Sequence, residues 1–400
     1  MGKDLKGKEL GTGISQRADG NYMARYVDRY KKRHTFYGRD LKVLRRRLEK
    51  ERYESEQGII SSEGNISLAE WFEEYLKLYK EGKVKDTTLF RIRQTFSPCK
   101  KNVLGMMRLR EIRADHVQRL INELDKKGFT YGTIRLLKSL LNEMFKKAVG
   151  NGYMLINPCD AVVMPRKVTY EPRFLTEREQ EMFLEVAREY YHYDIFCVSL
   201  SMGARIGEVL GLKWSDIDFD KKMIHIQRTL HYGKIQENES CHFFFTSPKT
   251  TTSDRCIPLL PETEMILKRV RKRQLRNRML YGSQWETTPP FDDMVFTTQQ
   301  GAPVRYGDVN RTIKSVVLKA NLQEEELAGF EKREPYVLKP FSPHCFRHTF
   351  VTRCKMNGVP YETIQSYVGH SDKETTAYYD HNKQIVDMES LKHISLLGVV

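Results

Sequence analysis

The sequence predicts a multidomain, mainly α-helical protein with small β-sheets. Three observations predict it. The chain has 400 residues, and at roughly 100–200 residues per domain that is enough for two or three. Two stretches without periodicity, residues 55–65 and 157–172, interrupt it. The apolar pattern also changes along the chain, from short alternating runs near the N-terminus to helical spacing beyond. The expected parts are a three-strand-plus-helix module over residues 1–57, a helical domain over 65–156 and a mixed α/β domain over 173–400.

In the first part, Gly13-Ile14-Ser15-Gln16-Arg17 runs into Asp19-Gly20, a tight-hairpin dipeptide. Residues 22–27 (YMARYV) form a second strand and 34–37 (HTFY) a third. Asp40 can cap a helix with Leu41, Leu44 and Leu48 on one face, flanked by Arg45, Arg46 and Arg47. So small a core is marginal alone, and a sheet face bearing Tyr and Arg can lie in a DNA groove. Gly58, Ser61, Ser62 and Gly64 mark a linker.

Ser67-Leu68-Ala69-Glu70 is a capping box for the first helix of the second part. A second helix is expected from Asp86 to Phe96, halted by Ser97-Pro98. Residues 113–124 and 133–149 complete four helices, the last with Ile134, Leu137, Leu141 and Phe145 in phase. Pro158, Pro165 and Pro172, with the pair Arg166-Lys167, read as an extended basic linker, either wrapped around a ligand or a plain tether.

The third part opens on a second capping box, Thr176-Glu177-Arg178-Glu179. A largely apolar helix follows over 193–202, ending at Gly203, then a short one over 205–212. Residues 223–230, 243–246 and 255–259 read as strands of one small sheet. After Arg311 the chain is helical again, broken by Lys339-Pro340 and Ser342-Pro343.

The composition excludes several classes. No apolar run approaches the ~18–20 residues of a membrane span. Residues 1–10 are charged and lack an apolar core, so no secretory signal is expected there. Seven Cys, odd in number and scattered, make no disulfide framework and fit a reducing cytosol. Their spacing with His fits no zinc site. Of the net charge of +15, a surplus of 9 falls in residues 1–50. That concentration is the footprint of a polyanion-binding module; the alternative is a solubilising tail.

The chemistry gathers in the third part. His344 and Arg347, three apart after Ser342-Pro343, share a face near a helix start. An imidazole, a guanidinium and a helix N-terminus around one point suit a phosphate. Arg205 has a carboxylate three residues on, Glu208, to orient it. Pro248-Lys249-Thr250 presents a lysine at a hairpin tip between two strands. Gly369-His370-Ser371 adds an imidazole, and Tyr379 a phenol nine residues later. Each motif alone is commonplace on a protein surface, and only their combination and order are distinctive.

That combination resembles the tyrosine recombinase (phage integrase) family, whose pattern runs Arg, hairpin Lys, H-x-x-R, His or Trp, then Tyr. Here it reads Arg205, Lys249, His344, Arg347, His370, Tyr379. The flanks ARIGEVLGLKWSDID, PKTTTSDRCIPL, SPHCFRHTF and VGHSDKETTAYYDH look like the family too. Ala204 stands where many relatives have Leu. Tyr378 adjoins Tyr379, but the spacing from His370 and the Tyr-x-His ending at His381 favour Tyr379. Lys221 and Lys234 compete with Lys249, which has the hairpin context. By the same resemblance the first part is similar to the arm-type DNA-binding module of conjugative-transposon integrases, the second to a core-type DNA-binding domain, and the third to the catalytic domain.

The resemblance implies a site-specific DNA recombinase of a mobile element, forming a 3′-phosphotyrosine without metal, ATP or other cofactor. Arg205 and Arg347 would neutralise the phosphorane and Tyr379 would attack. His344 would be the base, His370 a hydrogen-bonding partner, Lys249 the acid and Glu208 a supporting residue. Arg25, Arg45, Arg46, Arg47, Arg166 and Lys167 are candidate DNA contacts. Expected partners are double-stranded attachment-site DNA, three further copies in a tetramer, and an excisionase or DNA-bending accessory protein; no membrane is expected. The compartment implied is the bacterial cytoplasm, at the nucleoid. The tail beyond Tyr379, with Ile385, Leu391 and Ile394, would dock on a neighbouring protomer or on its own domain. Two other readings use the same residues: a type IB topoisomerase that reseals the original strand, and a non-catalytic DNA-binding regulator.

Overall fold

The structure is a computed structural model, and it describes residues 2–28, 31–56, 66–167, 173–236, 239–246 and 254–369. The chain divides into two compact units, residues 1–169 with 235–239, and residues 170–234 with 240–400.

The first unit opens with a short antiparallel pair, β1 (Gly2–Lys3) and β2 (Glu9–Gly11), which the sequence patterning does not reveal. The sheet β3 (Ile14–Gln16), β4 (Tyr22–Val27) and β5 (Arg33–Gly38) follows in antiparallel order. Asp40 caps α1 (Leu41–Glu56) by accepting the backbone N–H of Lys42 and Val43. Strand alternation sends Ala24 and Tyr26 inward against Leu44 and Leu48 of α1. The opposite face of β4 and β5 carries exposed Arg25, Val27, Arg33, Thr35 and Tyr37.

A separate core holds the helices α2 (Leu68–Tyr79), α3 (Asp86–Lys100), α4 (Val103–Met106), α5 (Ala114–Lys126) and α6 (Tyr131–Gly150). The capping box forms as expected: Glu70 N–H donates to Ser67 Oγ, and Ser67 N–H donates to the Glu70 carboxylate at 2.8 Å. Trp71 donates its indole N–H to the Met144 carbonyl, and Phe72 stacks on Phe96. Helix α3 does not stop at Ser97-Pro98 but continues to Lys100. Both Phe96 and Cys99 are buried, so the last turn is held by packing, and a proline so near the end forfeits only one helical bond. The stretch read as a linker begins as ordered structure. Residues Pro158–Ala161 make a 3₁₀ turn, and Cys159 and Val162 are buried in the helical core. Arg166 and Lys167 beyond it are exposed.

The second unit contains α7 (Glu177–Ala187), α8 (Tyr193–Met202) and α9 (Ile206–Leu210). These are followed by β6 (Ile217–Asp218), β7 (Met223–Ile226), β8 (Thr229–Gly233), β9 (His242–Thr246) and β10 (Arg255–Pro258). The helices α10 (Pro261–Tyr281), α11 (Tyr306–Glu331), α12 (His344–Met356) and α13 (Tyr361–Val368) complete the described residues. The mixed, mainly helical character is as the sequence predicts, with two corrections. Among the described residues there are two sheets, β10-β7-β6 and β8-β9, where the sequence predicts one. The run 223–230 breaks into two strands at Gln227-Arg228, whose side chains turn to Asp216. Periodicity does not reveal helix α10: its Lys and Arg residues obscure a buried face of Thr263, Ile266, Leu267 and Val270. The core of this unit surrounds α8, whose residues Ile195, Phe196 and Val198 are buried.

Candidate active site

Helix α8 ends at Gly203, which has φ +55, the left-handed conformation that suits glycine. A side chain there is also blocked, because a Cβ would lie 2.3 Å from the Phe350 ring. Two residues later Arg205 takes an extended backbone and starts the short helix α9. That turn puts Glu208 one helical turn below it. Glu208 Oε1 accepts Arg205 Nη1 at 2.8 Å, and Oε2 accepts the Arg205 backbone N–H at 3.0 Å. The guanidinium is 42% exposed while Glu208 is 5% exposed, so the carboxylate is a fixed support and the cation can reach a ligand.

His344 and Arg347 lie at the start of α12, as their spacing predicts. His344 is exposed, whereas Arg347 is 2% exposed. Arg347 donates to the Gly203 carbonyl at 3.1 Å and to the Val368 carbonyl at 2.8 Å. These carbonyls end α8 and α13, so two negative helix termini face the buried cation. Burial, then the neighbouring charges of Arg205 and Arg255, lower its pKa to about 10 against the pull of Glu208. It therefore stays charged at neutral pH. Partial burial of its ring, then the charges of His348, Arg347 and Arg205, hold His344 below its ordinary value of 6.5. The His348 ring stands edge-on to His344 at 4.6 Å between centroids.

Sequence reasoning missed Arg255. It is 8% exposed, donates Nε to the Tyr367 carbonyl at 2.7 Å, and donates Nη2 to Glu208 Oε2 at 3.0 Å. Burial raises the Glu208 pKa, but Arg255's charge and hydrogen bond and the Arg205 bonds outweigh it, keeping the carboxylate ionised. The available signal was parity, since period two puts Arg255 on the face of buried Ile257. Arg205 adds a longer contact of 3.5 Å to the Gly369 carbonyl. Thus three consecutive carbonyls, 367 to 369, face Arg255, Arg347 and Arg205.

The structure brings together Arg205, Glu208, His344 and Arg347. Lys249, His370 and Tyr379 lie outside the described residues. The strands flanking Lys249 belong to different sheets: β9 pairs with β8, and β10 with β7. Among the described residues β9 and β10 do not pair with each other, so the hairpin expected around Lys249 is not formed by these two strands. Of the basic candidates, Arg25, Arg45, Arg46, Arg47, Arg166 and Lys167 are all exposed. Arg45 also donates to the Leu10 carbonyl, and Arg47 lies over the Phe36 ring at 4.6 Å, so these two help to hold the module's own fold as well. Two fixed guanidinium forks beside a neutral imidazole form a site for a tetrahedral anion.

Comparison with known proteins places the chain in a family. Residues 173–384 match the Phage integrase family, and residues 67–124 match the phage integrase N-terminal SAM-like domain. A tyrosine recombinase XerC-like protein of Caldanaerobacter subterraneus is 30% identical over 292 residues, 70% of each chain. The transposase from transposon Tn916 of Enterococcus faecalis is 25% identical, covering 98% of this chain and 96% of its own. In fold, the Tn1549 transposon integrase in complex with a circular intermediate DNA is similar, with TM-score 0.65 and 23% identity. That likeness covers 79% of this chain and 95% of the integrase. A lambda integrase tetramer bound to a Holliday junction gives TM-score 0.55 at 16% identity, covering 92% and 94%.

Proposed function

The chain belongs to the phage integrase family of tyrosine recombinases, and from that premise we propose that it is the integrase of a conjugative element, acting through a 3′-phosphotyrosine at Tyr379. The observation that carries the chemistry is the pair Arg205 and Arg347, aimed by Glu208 and by two helix termini. A phosphodiester resists nucleophiles because it is an anion, so its cleavage needs fixed cations on the non-bridging oxygens. Planar forks supply them, and Lys is a poor substitute for either. The Tyr379 oxygen attacks phosphorus and its proton passes to His344, which is neutral at pH 7. The 5′-oxygen leaves with a proton from Lys249. His370 hydrogen-bonds the phosphate or the tyrosine. A 5′-hydroxyl from a second duplex then gives its proton to Lys249 and displaces the tyrosine, which takes back the proton held by His344, so one phosphodiester replaces another.

The other parts follow from this reading. Residues 1–57 serve as the arm-type module, residues 65–156 as the core-type DNA-binding domain and residues 173–400 as the catalytic domain. The sheet face with Arg25, Arg33 and Tyr37 is shaped to enter a DNA groove. Arg45, Arg46, Arg47, Arg166 and Lys167 are exposed and can approach phosphates. Exchange between two duplexes requires four cleavages, hence a tetramer on DNA, with the tail beyond Tyr379 reaching a neighbour. A DNA-bending or excisionase partner would set the direction, in the cytoplasm at the nucleoid.

Covalent trapping tests the reading. Purified protein is mixed in EDTA with duplex DNA spanning the joined ends of its element, then denatured in detergent. A protein–DNA adduct is expected from the wild type and from Tyr378→Phe, and none from Tyr379→Phe. Loss only with Tyr378→Phe would move the nucleophile by one residue. An adduct from both variants would refute tyrosine chemistry at this position.

A further inference from the structure

Arg255 belongs to none of the six positions assigned above, yet it makes two of the bonds that shape the site. It lies on β10, paired opposite Ile226 of β7, with its side chain turned into the interior. One end of its fork meets Glu208 Oε2 at 3.0 Å, and its Nε meets the Tyr367 carbonyl at 2.7 Å. A buried cation is costly unless paired and hydrogen-bonded. Here the pairing is with the carboxylate that aims Arg205. Glu208 uses one oxygen for the Arg205 guanidinium and shares the other between the Arg205 backbone and Arg255. Among the described residues no other side chain on the β10 side bonds the Glu208 carboxylate, so without Arg255 the support of the Arg205 fork is weakened.

The second bond acts on the other half of the site. The Tyr367 carbonyl precedes Val368 and Gly369, the carbonyls facing Arg347 and Arg205. The Tyr367 ring stacks on Phe350 of α12, with centroids 5.1 Å apart. Arg255 therefore ties β10 to the end of α13, immediately before His370.

We propose that Arg255 is a positioning residue for DNA strand cleavage, holding both the Glu208 carboxylate that aims Arg205 and the end of α13 from which His370 and Tyr379 follow. It does this without contacting the DNA phosphate. The inference rests on the reading of Arg205 as a phosphate-binding cation. A purely structural ion pair between β10 and α9 would lower stability and change nothing else.

The full chain is compared with Arg255→Lys, Arg255→Met, Glu208→Gln and the double variant Arg255→Met with Glu208→Gln. Three quantities are read: the DNA dissociation constant, the rate of adduct formation at saturating DNA, and the thermal unfolding midpoint. Adduct formation should fall roughly 10- to 100-fold in Arg255→Met, the range typical when a partner behind a functional ligand is removed. DNA affinity should change little. Arg255→Lys keeps the charge but cannot hold both partners, so it should be slowed as well; it decides the matter if Arg255→Met does not fold. The double variant should be no slower than the slower single one, because both act through Arg205. The proposal is overturned by a folded Arg255→Lys that cleaves at the wild-type rate, by multiplicative losses, or by a loss of affinity equal to the loss of rate. Arg205→Ala is the control. If it still forms adduct normally, the reading of the site has failed. If it abolishes adduct while Arg255→Lys does not slow it, only this inference has failed.

Discussion

Arg347 is a largely buried cation, and its only direct hydrogen-bond anchors among the described residues are backbone carbonyls, which do not cancel its charge. That arrangement leaves its charge available to an incoming anion. The local pairs of the site were legible because Arg205 with Glu208, and His344 with Arg347, are three residues apart, a spacing that one helical turn converts into contact. Strand parity could mark Arg255 only as an inward-facing residue; its role was not legible, because its partners lie 47 and 112 residues away and no local pattern announces them. A chemical prediction also belongs at this scale. The pKa of His344 is depressed, so the proton-accepting form persists as pH falls and is lost only below the ordinary 6.5. NMR titration of the DNA-free protein, assigned with His344→Gln, should place its midpoint below that value. His348→Gln should move it upward, because the His348 charge is one cause of the depression. A midpoint at or above 6.5 would count against His344 as the base.

Among elements, those with chemically marked ends were the easiest to read. Both capping boxes, the strand 22–27 and the helix 193–202 ending at glycine form where expected. Packing decided the rest. Buried Cys99 carries α3 past a proline, and the few buried positions of α10 are hidden among cations. Pairing between strands is set by distant partners, so the split into two sheets could not be read locally. Gly203 offers a test of how an element end supports the site. Gly203→Ala adds a left-handed backbone cost of ~1–2 kcal/mol and overpacking of ~1–3 kcal/mol against Phe350. Denaturant unfolding should show a loss within the sum of these, with slower cleavage because the Gly203 carbonyl shifts from Arg347. A loss no larger than the ~1–2 kcal/mol backbone cost would mean that the Phe350 ring moves aside, and an unchanged midpoint would refute both costs.

At the scale of the whole molecule, the charge distribution and the domain-like cores point the same way. The N-terminal module has a small buried core, drawn from Leu10, Ile14, Ala24, Tyr26, Leu44 and Leu48, yet residues 1–50 hold most of the net positive charge. Its expected contribution is therefore electrostatic. Deleting residues 1–56 should flatten the dependence of log affinity on log salt by about 0.9 for each phosphate the module neutralises, measured on DNA bearing the element's ends. An unchanged slope would assign the basic surplus to solubility. The order in which the chain is made adds a last consequence. The hydrogen bonds that gather Arg205, Arg347 and Arg255 around the ends of α8 and α13 span 164, 144 and 112 residues. At about 5–20 residues per second, a ribosome needs roughly 10 to 30 s to pass from Arg205 to Gly369. Throughout that interval the nascent chain already carries its proposed DNA-gripping parts, while its cation cluster has nothing to close upon. If those parts bind DNA as proposed, interrupted synthesis yields competitors for the DNA and no stray nicking enzymes.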